Sequence, residues 1–358
     1  VKDPLTEAML DEAIREARKG TAAGPSKVTT NMLARLDAES RRLILAMMNR
    51  WMDKGEIPDA VNTATLCLLP KTEAGLADLT KVRPIALMET LVKIYEAMVI
   101  GRVLTILLER DLLDLSQYGG LPQGGVTAPL RILANIMEDA RISKQPLFVM
   151  VADLSKAFDS VEYWSQSMSW RCMGMPPEII TMLTNLDAGT EEAGATTSLK
   201  LAAGTYTSPF RHGRGVRQGS VGGPLKWIVF VNFWLKWVKK RMVGKGYKMH
   251  SATQKNIHET GWGTQTPKPS TWSEAIGMMF IDDSIWAAST AEAMQEIARM
   301  HETFCGFHAV YLNLDKSHLV TLNAADTQVN WKAPRGAGAG EAAQEYGCAD
   351  MRKYFQAS

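Results

Sequence analysis

The chain has 358 residues, with 40 Lys and Arg against 38 Asp and Glu, 46% hydrophobic and 22% charged side chains, a mix that excludes a disordered or collagenous polymer. A chain of this size buries roughly three quarters of its unfolded surface and divides into two lobes or a little more. Its longest nearly unbroken apolar run, Trp227 to Leu235, contains Asn232 and is too short to cross a bilayer, and its four cysteines lack the paired spacing of a disulfide scaffold or a four-cysteine zinc site.

Apolar Leu5, Met9, Leu10 and Ile14 predict an amphipathic helix over Pro4 to Lys19, broken by Ala23-Gly24-Pro25. A second helix is expected over about Asn31 to Lys54, then a strand from Ala64 to Leu69 ending at Pro70. Long helices follow over Thr90 to Leu113 and Thr127 to Ala140. Pro146 to Val151 reads as a fully buried strand that delivers Asp153 at its end, with helical segments after it to about Asn185. Two strand-like runs, Thr197 to Ala202 and Thr205 to Phe210, lead into a Gly-rich turn and a helix from about Pro224 to Met242, with Phe230, Trp234 and Trp237 on its apolar side. Beyond a polar loop, Ser251 to Ser270, the segments Ala275 to Ile281 and Ser284 to Ala288 flank two carboxylates as a hairpin would. A helix from Ala291 and a strand over Ala309 to Leu314 close the readable part, and the Gly/Ala-rich tail after Asn330 reads as linker. There is no internal repeat, and strands mixed with helices without βαβ regularity indicate an α+β fold.

The charge is unevenly placed. Between Glu192 and Glu259 there is no acidic residue, whereas twelve basic ones occur: Lys200, Arg211, Arg214, Arg217, Lys226, Lys236, Lys239, Lys240, Arg241, Lys245, Lys248 and Lys255. Such a band on an otherwise mildly acidic chain suggests a track for a nucleic acid. His301, Cys305 and His308 have the spacing of one helix face and are candidate metal ligands. With no fourth ligand nearby, and a loop expected from Gly306, they are read instead as structural.

Two acidic sites stand in apolar settings, Asp153 in VMVADLSKAFD and the pair Asp282-Asp283 in GMMFIDDSIW. A carboxylate after a buried strand is costly unless paired or bound to metal, and adjacent carboxylates at a hairpin tip repel each other until a divalent cation removes the penalty. Three carboxylates on neighbouring strands make an all-oxygen site suited to Mg²⁺, and one able to hold two ions for phosphoryl transfer. The alternatives are a structural calcium site or an exposed turn. A third element, RGVRQGSVGGPLKW (Arg214 to Trp227), has four glycines that permit close backbone approach and Gln218, which can donate and accept.

The ordered series KAFD, RQG and DD resembles the reverse transcriptases of non-LTR (LINE-type) retrotransposons, with the group II intron enzymes as more distant relatives. AAGPSKVTTNML, LLPKTE with KVRPIALMETLVKIYEAMV, SQYGGLPQGGVTAPL and LNLDKSHL resemble further blocks of that family, over about Gly24 to Lys316. The resemblance implies a right-hand polymerase fold with an antiparallel-sheet palm and helical fingers. The corresponding expectation is fingers at 1–95 and 161–219, palm at 96–160 and 220–325, and 326–358 as linker or remnant of the thumb connection, the thumb itself missing or truncated.

The resemblance also implies residue roles. Asp153, Asp282 and Asp283 match the metal-binding carboxylates, and the Leu154 carbonyl adds a backbone ligand. Lys71 and Arg83 would grip the incoming triphosphate, Phe158 would exclude a ribose 2′-OH, Gln218 and Gly219 would line the nucleotide and template pocket, and Lys316 would lie near the pyrophosphate. Two of these have a plainer alternative: a core Phe at Phe158, a solvated lysine at Lys316. LPQGG (Leu121 to Gly125) imitates the second palm motif but precedes Asp153, so it is set aside. Gly120, Gly223 and Trp227 depart from the family pattern, and no convincing primer-grip block follows Lys316, with Tyr346-Gly347-Cys348 a faint echo.

The expected activity is RNA-directed DNA polymerisation with two Mg²⁺ ions (Mn²⁺ as substitute), acting on an RNA template, a DNA primer and dNTP. The rivals are an RNA-dependent RNA polymerase, to which the pair Asp153 and Asp159 is similar, and a decayed, maturase-like RNA-binding scaffold. A chain that starts with Val1 is read as part of a longer polyprotein. It is expected inside the cell, nuclear or cytoplasmic, neither secreted nor in a membrane.

Overall fold

The computed structural model describes residues 3–73, 81–122, 124–188, 194–201, 204–249 and 274–324. Helix α1 (Glu7–Glu16) is shorter than expected because Thr6 caps it, its hydroxyl accepting from the Met9 amide. The second expected helix is two, α2 (Thr30–Ala34) and α3 (Ala38–Lys54). Asp37 leaves the helical conformation between them and caps α3 through the Ser40 N–H. Gly55 ends α3 in the left-handed region, φ 68°. Strands β1 (Thr63–Pro70) and β2 (Val82–Met88) follow, then α4 (Thr90–Glu109), which closes before the expected Leu113, and α5 (Thr127–Ser143). Next come β3 (Leu147–Ala152), β4 (Leu154–Ser155), α6 (Ala157–Ser160), α7 (Tyr163–Cys172), α8 (Pro177–Asn185) and β5 (Thr196–Leu199). Among the described residues the second strand-like run forms only single bridges, Lys200 to Tyr206 and Thr197 to Phe210.

Helix α9 (Gly223–Met242) is buried around its whole circumference from Leu225 to Leu235, not along one side. The remaining elements are β6 (Tyr247–Lys248), β7 (Glu274–Ala275), β8 (Gly277–Phe280), β9 (Asp283–Ala288), α10 (Ala291–His308), β10 (Tyr311–Leu312) and β11 (His318–Leu322). The expected Ser251–Ser270 loop, the tail after Asn330 and Tyr346-Gly347-Cys348 lie outside the described residues.

The chain forms two compact units, Val1–Leu112 with Phe158–Phe230, and Leu113–Ala157 with Val231–Ser358. The first holds a three-stranded sheet in the order β2-β1-β5, antiparallel between β1 and β2 and parallel between β1 and β5. Its interior contains a fully buried ionic cluster. Lys226 pairs with Glu96 at 3.0 Å and with Asp187, and Arg217 lies 3.7 Å from Asp187. Glu96 also accepts from the Ser220 hydroxyl and, at 2.9 Å, from the Val221 N–H, so the cluster fixes the chain on both sides of Gly219.

The second unit is built on an antiparallel sheet in the order β11-β3-β9-β8. Strand alternation sends Leu147, Val149, Met278 and Ala287 to one face, where Ile136 and Ala140 of α5 cover them. The other face carries Trp286, whose ring lies 4.9 Å from that of Trp234, which in turn stacks on Phe304 at 5.0 Å. Helix α10 runs on through Gly306 to His308 and is capped by Ala309 at φ 53°, so the expected loop at Gly306 does not form. His301, Cys305 and His308 are all buried, and burial pushes both imidazoles down to about 3. They are neutral packing groups, with His301 edge-on to Trp234 at 4.4 Å.

Candidate active site

Register brings the acidic residues of the second unit together. Ala152 of β3 pairs with Ser284 of β9, so Asp153 and Asp283 follow as the next opposed positions on one sheet face. Phe280 pairs with Asp283, which leaves Ile281 and Asp282 as the two central residues of the hairpin turn. Ile281 stands at φ 59°, a left-handed conformation that costs a β-branched residue about 1–2 kcal/mol. Hairpins usually place Gly or Asn at such a position.

Burial first, and then repulsion from Asp283 and Asp153, raises the Asp282 carboxyl above its ordinary range. Burial and the Asp153 charge do the same to Asp283, and Lys316 opposes the rise at both. The Lys316 ammonium lies 3.7 Å from the Asp153 carboxylate and is mostly exposed. Two contacts from the block Asn313–Ser317 fix the strand end: the Asn313 N–H donates to the Asp153 carbonyl at 2.8 Å, and the Asp153 N–H to the Ser317 hydroxyl at 3.1 Å. Leu154, buried, pairs with Leu312.

The same block continues into β11 against β3, an edge strand that the sequence pattern did not reveal. Among the described residues no three His, Cys, Asp or Glu side chains already close on one point as a metal cage. The donor set itself, oxygen-only and mutually repelling, with one ammonium held beside it, matches what a hard divalent cation needs.

The other candidates belong to the first unit. Leu69 pairs with Arg83, and the Lys71 N–H donates to the Lys81 carbonyl at 2.8 Å, so Lys71 and Arg83 stand exposed at one end of the β1–β2 ribbon. The Gln218 carbonyl accepts from the Ala86 N–H at 2.7 Å, seating the RQG loop on β2. A Cβ on Gly219, at φ 131°, would collide with the Ala86 carbonyl, so glycine is required there. The Gln218 amide donates to both Asp159 oxygens, at 3.2 and 3.1 Å, beside a cavity of about 200 Å³ lined by Leu66, Pro84, His212 and Arg214. Phe158 is half-buried, its ring 5.5 Å from that of Trp227, and its carbonyl accepts from the Val216 N–H at 2.8 Å.

The acid-free band of sequence is not acid-free in space. Arg217 and Lys226 are buried in the ionic cluster and unavailable to a nucleic acid. Arg214 pairs with Glu162, Lys239 with Asp114 and Lys245 with Glu296, each partner remote in sequence. Lys255 lies outside the described residues.

Among solved structures, apo telomerase from Candida tropicalis, truncated from its C-terminal domain, superposes with a TM-score of 0.50 at 12% identity, over 80% of this chain and 56% of that one. The chain therefore shares the α+β fold of that protein over this span. Residues 69–343 match the family described as reverse transcriptase (RNA-dependent DNA polymerase), and the chain belongs to that family.

A Pol polyprotein of a type-1 R2 retrotransposable element from Nasonia vitripennis is 29% identical over 210 residues, 59% of this chain and 19% of that protein. The RNA-directed DNA polymerase of the mobile element jockey from Drosophila melanogaster is 24% identical over 234 residues, 64% of this chain and 25% of that protein. The chain is thus similar to enzymes of retrotransposable and mobile elements, in line with the resemblance its motifs carry. It spans about a fifth to a quarter of their length. Among the described residues no helix is long and apolar enough to cross a membrane.

Proposed function

We propose that this chain is a polymerase core that copies RNA into DNA, the second unit working as palm and the first as fingers. The observation that carries this reading is the β3–β9 register, which sets Asp153 against Asp283 with Asp282 beside it, in a chain of the reverse transcriptase family. Asp153, Asp282, Asp283 and the Leu154 carbonyl would hold two Mg²⁺ ions, or Mn²⁺ in their place, which supply Lewis-acid charge at the primer hydroxyl and the triphosphate.

The primer 3′-OH attacks the α-phosphate of a dNTP, the new ester bond forms in line, and pyrophosphate leaves. Lys71 and Arg83, exposed at the ribbon end, suit contact with the triphosphate charge. Lys316 would turn from Asp153 to the departing pyrophosphate. Gln218 and Gly219 would bring the RQG loop backbone close to the nucleotide and template. The template and primer would follow those basic side chains of the 193–258 band that remain at the surface, with binding that weakens steeply as salt rises.

Incubating the purified chain with an RNA template, a DNA primer, Mg²⁺ and either dNTPs or NTPs tests the proposal. Extension with dNTPs is expected. Extension with NTPs alone would reassign the chain as an RNA-dependent RNA polymerase, and RNA binding without extension as a scaffold. Phe158, its ring packed on Trp227, would meet the sugar C2′ in the role that the family resemblance implies. Phe158→Val is expected to raise ribonucleotide incorporation by about 10²-fold, the scale on which a pocket rejects one added hydroxyl. An unchanged sugar preference would return Phe158 to the core.

A further inference from the structure

We infer that Gln117 is a positioning residue that holds the Ile281–Asp282–Asp283 turn in its working conformation. Gln117 is only 5% exposed and directs its whole amide at one residue of the turn. Its Oε1 accepts from the Ile281 N–H at 2.9 Å, and its Nε2 donates to the Ile281 carbonyl at 3.3 Å. The same Oε1 accepts from the Gly119 N–H at 3.0 Å, which fixes the amide orientation. One side chain thus satisfies both backbone groups of the residue whose φ of 59° a β-branched side chain ordinarily avoids.

The surroundings make Gln117 a rigid support. Ser116–Gly119 lies alongside β8: the Met279 N–H donates to the Ser116 carbonyl and the Tyr118 N–H to the Met279 carbonyl, both at 2.8 Å. Asp114 accepts from the Ser116 N–H and from Lys239 at 2.8 Å, and its own N–H donates to Asn232, also at 2.8 Å. Gly119 passes so close that a Cβ there would stand 2.6 Å from the Ile281 nitrogen. Segment, side chain and glycine therefore converge on Ile281, the residue that aims Asp282 and Asp283.

The inference rests on the carboxylate reading above, and its test separates the two. Three variants of the full chain, Gln117→Ala, Gln117→Glu and Gly119→Ala, are compared with the wild type by amide hydrogen exchange over 279–283, Mn²⁺ binding followed by electron paramagnetic resonance, and steady-state primer extension. For Gln117→Ala, exchange at the Ile281 amide should accelerate by at least roughly tenfold. Its Mn²⁺ affinity should fall roughly 10–100-fold, the usual cost of removing support from metal ligands. Its kcat should fall about 10²-fold with the dNTP KM little changed.

Gln117→Glu keeps the acceptor for the Ile281 and Gly119 amides and should recover part of the Mn²⁺ affinity. Gly119→Ala disturbs the same residue from the other side and should reproduce the pattern with Gln117 intact, which covers the case in which Gln117→Ala fails to fold. Wild-type exchange and wild-type Mn²⁺ affinity in these variants would overturn the role of Gln117. A wild-type chain that binds no Mn²⁺ would overturn the carboxylate assignment instead.

Discussion

Asp282→Ala protein is expected to make no extension product and yet to melt no lower than the wild type. The Asp282 carboxyl, held above its usual range by burial and by the like charges of Asp283 and Asp153, strains the folded chain. Removing it relieves that crowding, so thermal stability should hold or rise slightly while catalysis is lost. If Asp282 holds metal as proposed, its loss should withdraw several kcal/mol of transition-state stabilisation, a fall of at least roughly 10³-fold in kcat. Primer extension beside a thermal melt checks both halves. Residual activity within tenfold of wild type would remove Asp282 from the site, and a large drop in melting temperature would mark it as structural.

Lys226→Met should destabilise the chain by about 3–5 kcal/mol, because it leaves Glu96 and Asp187 buried with a single cation, Arg217, between them. For a unit of this size the midpoint of thermal unfolding should fall by of the order of 10 °C. The double variant Lys226→Met with Glu96→Met removes one charge of each sign and leaves Arg217 facing Asp187. It should be more stable than Lys226→Met alone, though short of wild type because the Ser220 hydroxyl and the Val221 N–H lose their acceptor. Denaturant titration of the two variants decides the matter. A Lys226→Met chain as stable as the wild type, or a double variant worse than the single, would show that the cluster is not charge-balanced as described. The network also anchors the loop carrying Gln218 and Gly219, so the single variant should lose polymerase activity with its stability.

Strand β3 and the Asp-Asp hairpin were legible in the sequence because their signals are local. PLFVMV is an unbroken apolar run, and two acids between apolar segments can only sit at a turn. β11 was not legible: His318, Val320 and Thr321 are half or largely exposed on an edge strand, so the run lacks the hydrophobic pattern that marks a core strand. Asp37 passed for a helix-interior residue because a capping side chain leaves no mark in an apolar pattern. The charge count overstated the basic surface for a different reason. The partner of Lys226 on α4 is Glu96, and no count of neighbouring residues reveals a partner so distant. Gln117 was visible only as one letter of a resembling block, and its role depends on a pairing with Met279 that the fold alone creates.

The central position of β3 has a consequence for biosynthesis. Its two neighbours, starting at Asp283 and His318, are translated long after it. At ordinary ribosomal speeds the delay is roughly 10–30 s. Throughout that interval the nascent polypeptide carries Phe148, Val149 and Met150 on a segment with both hydrogen-bonding edges open, a template for aggregation until its partners arrive. Yield from a recombinant host should therefore depend on holdase chaperones and slow, cool expression more than on the stability of the finished fold.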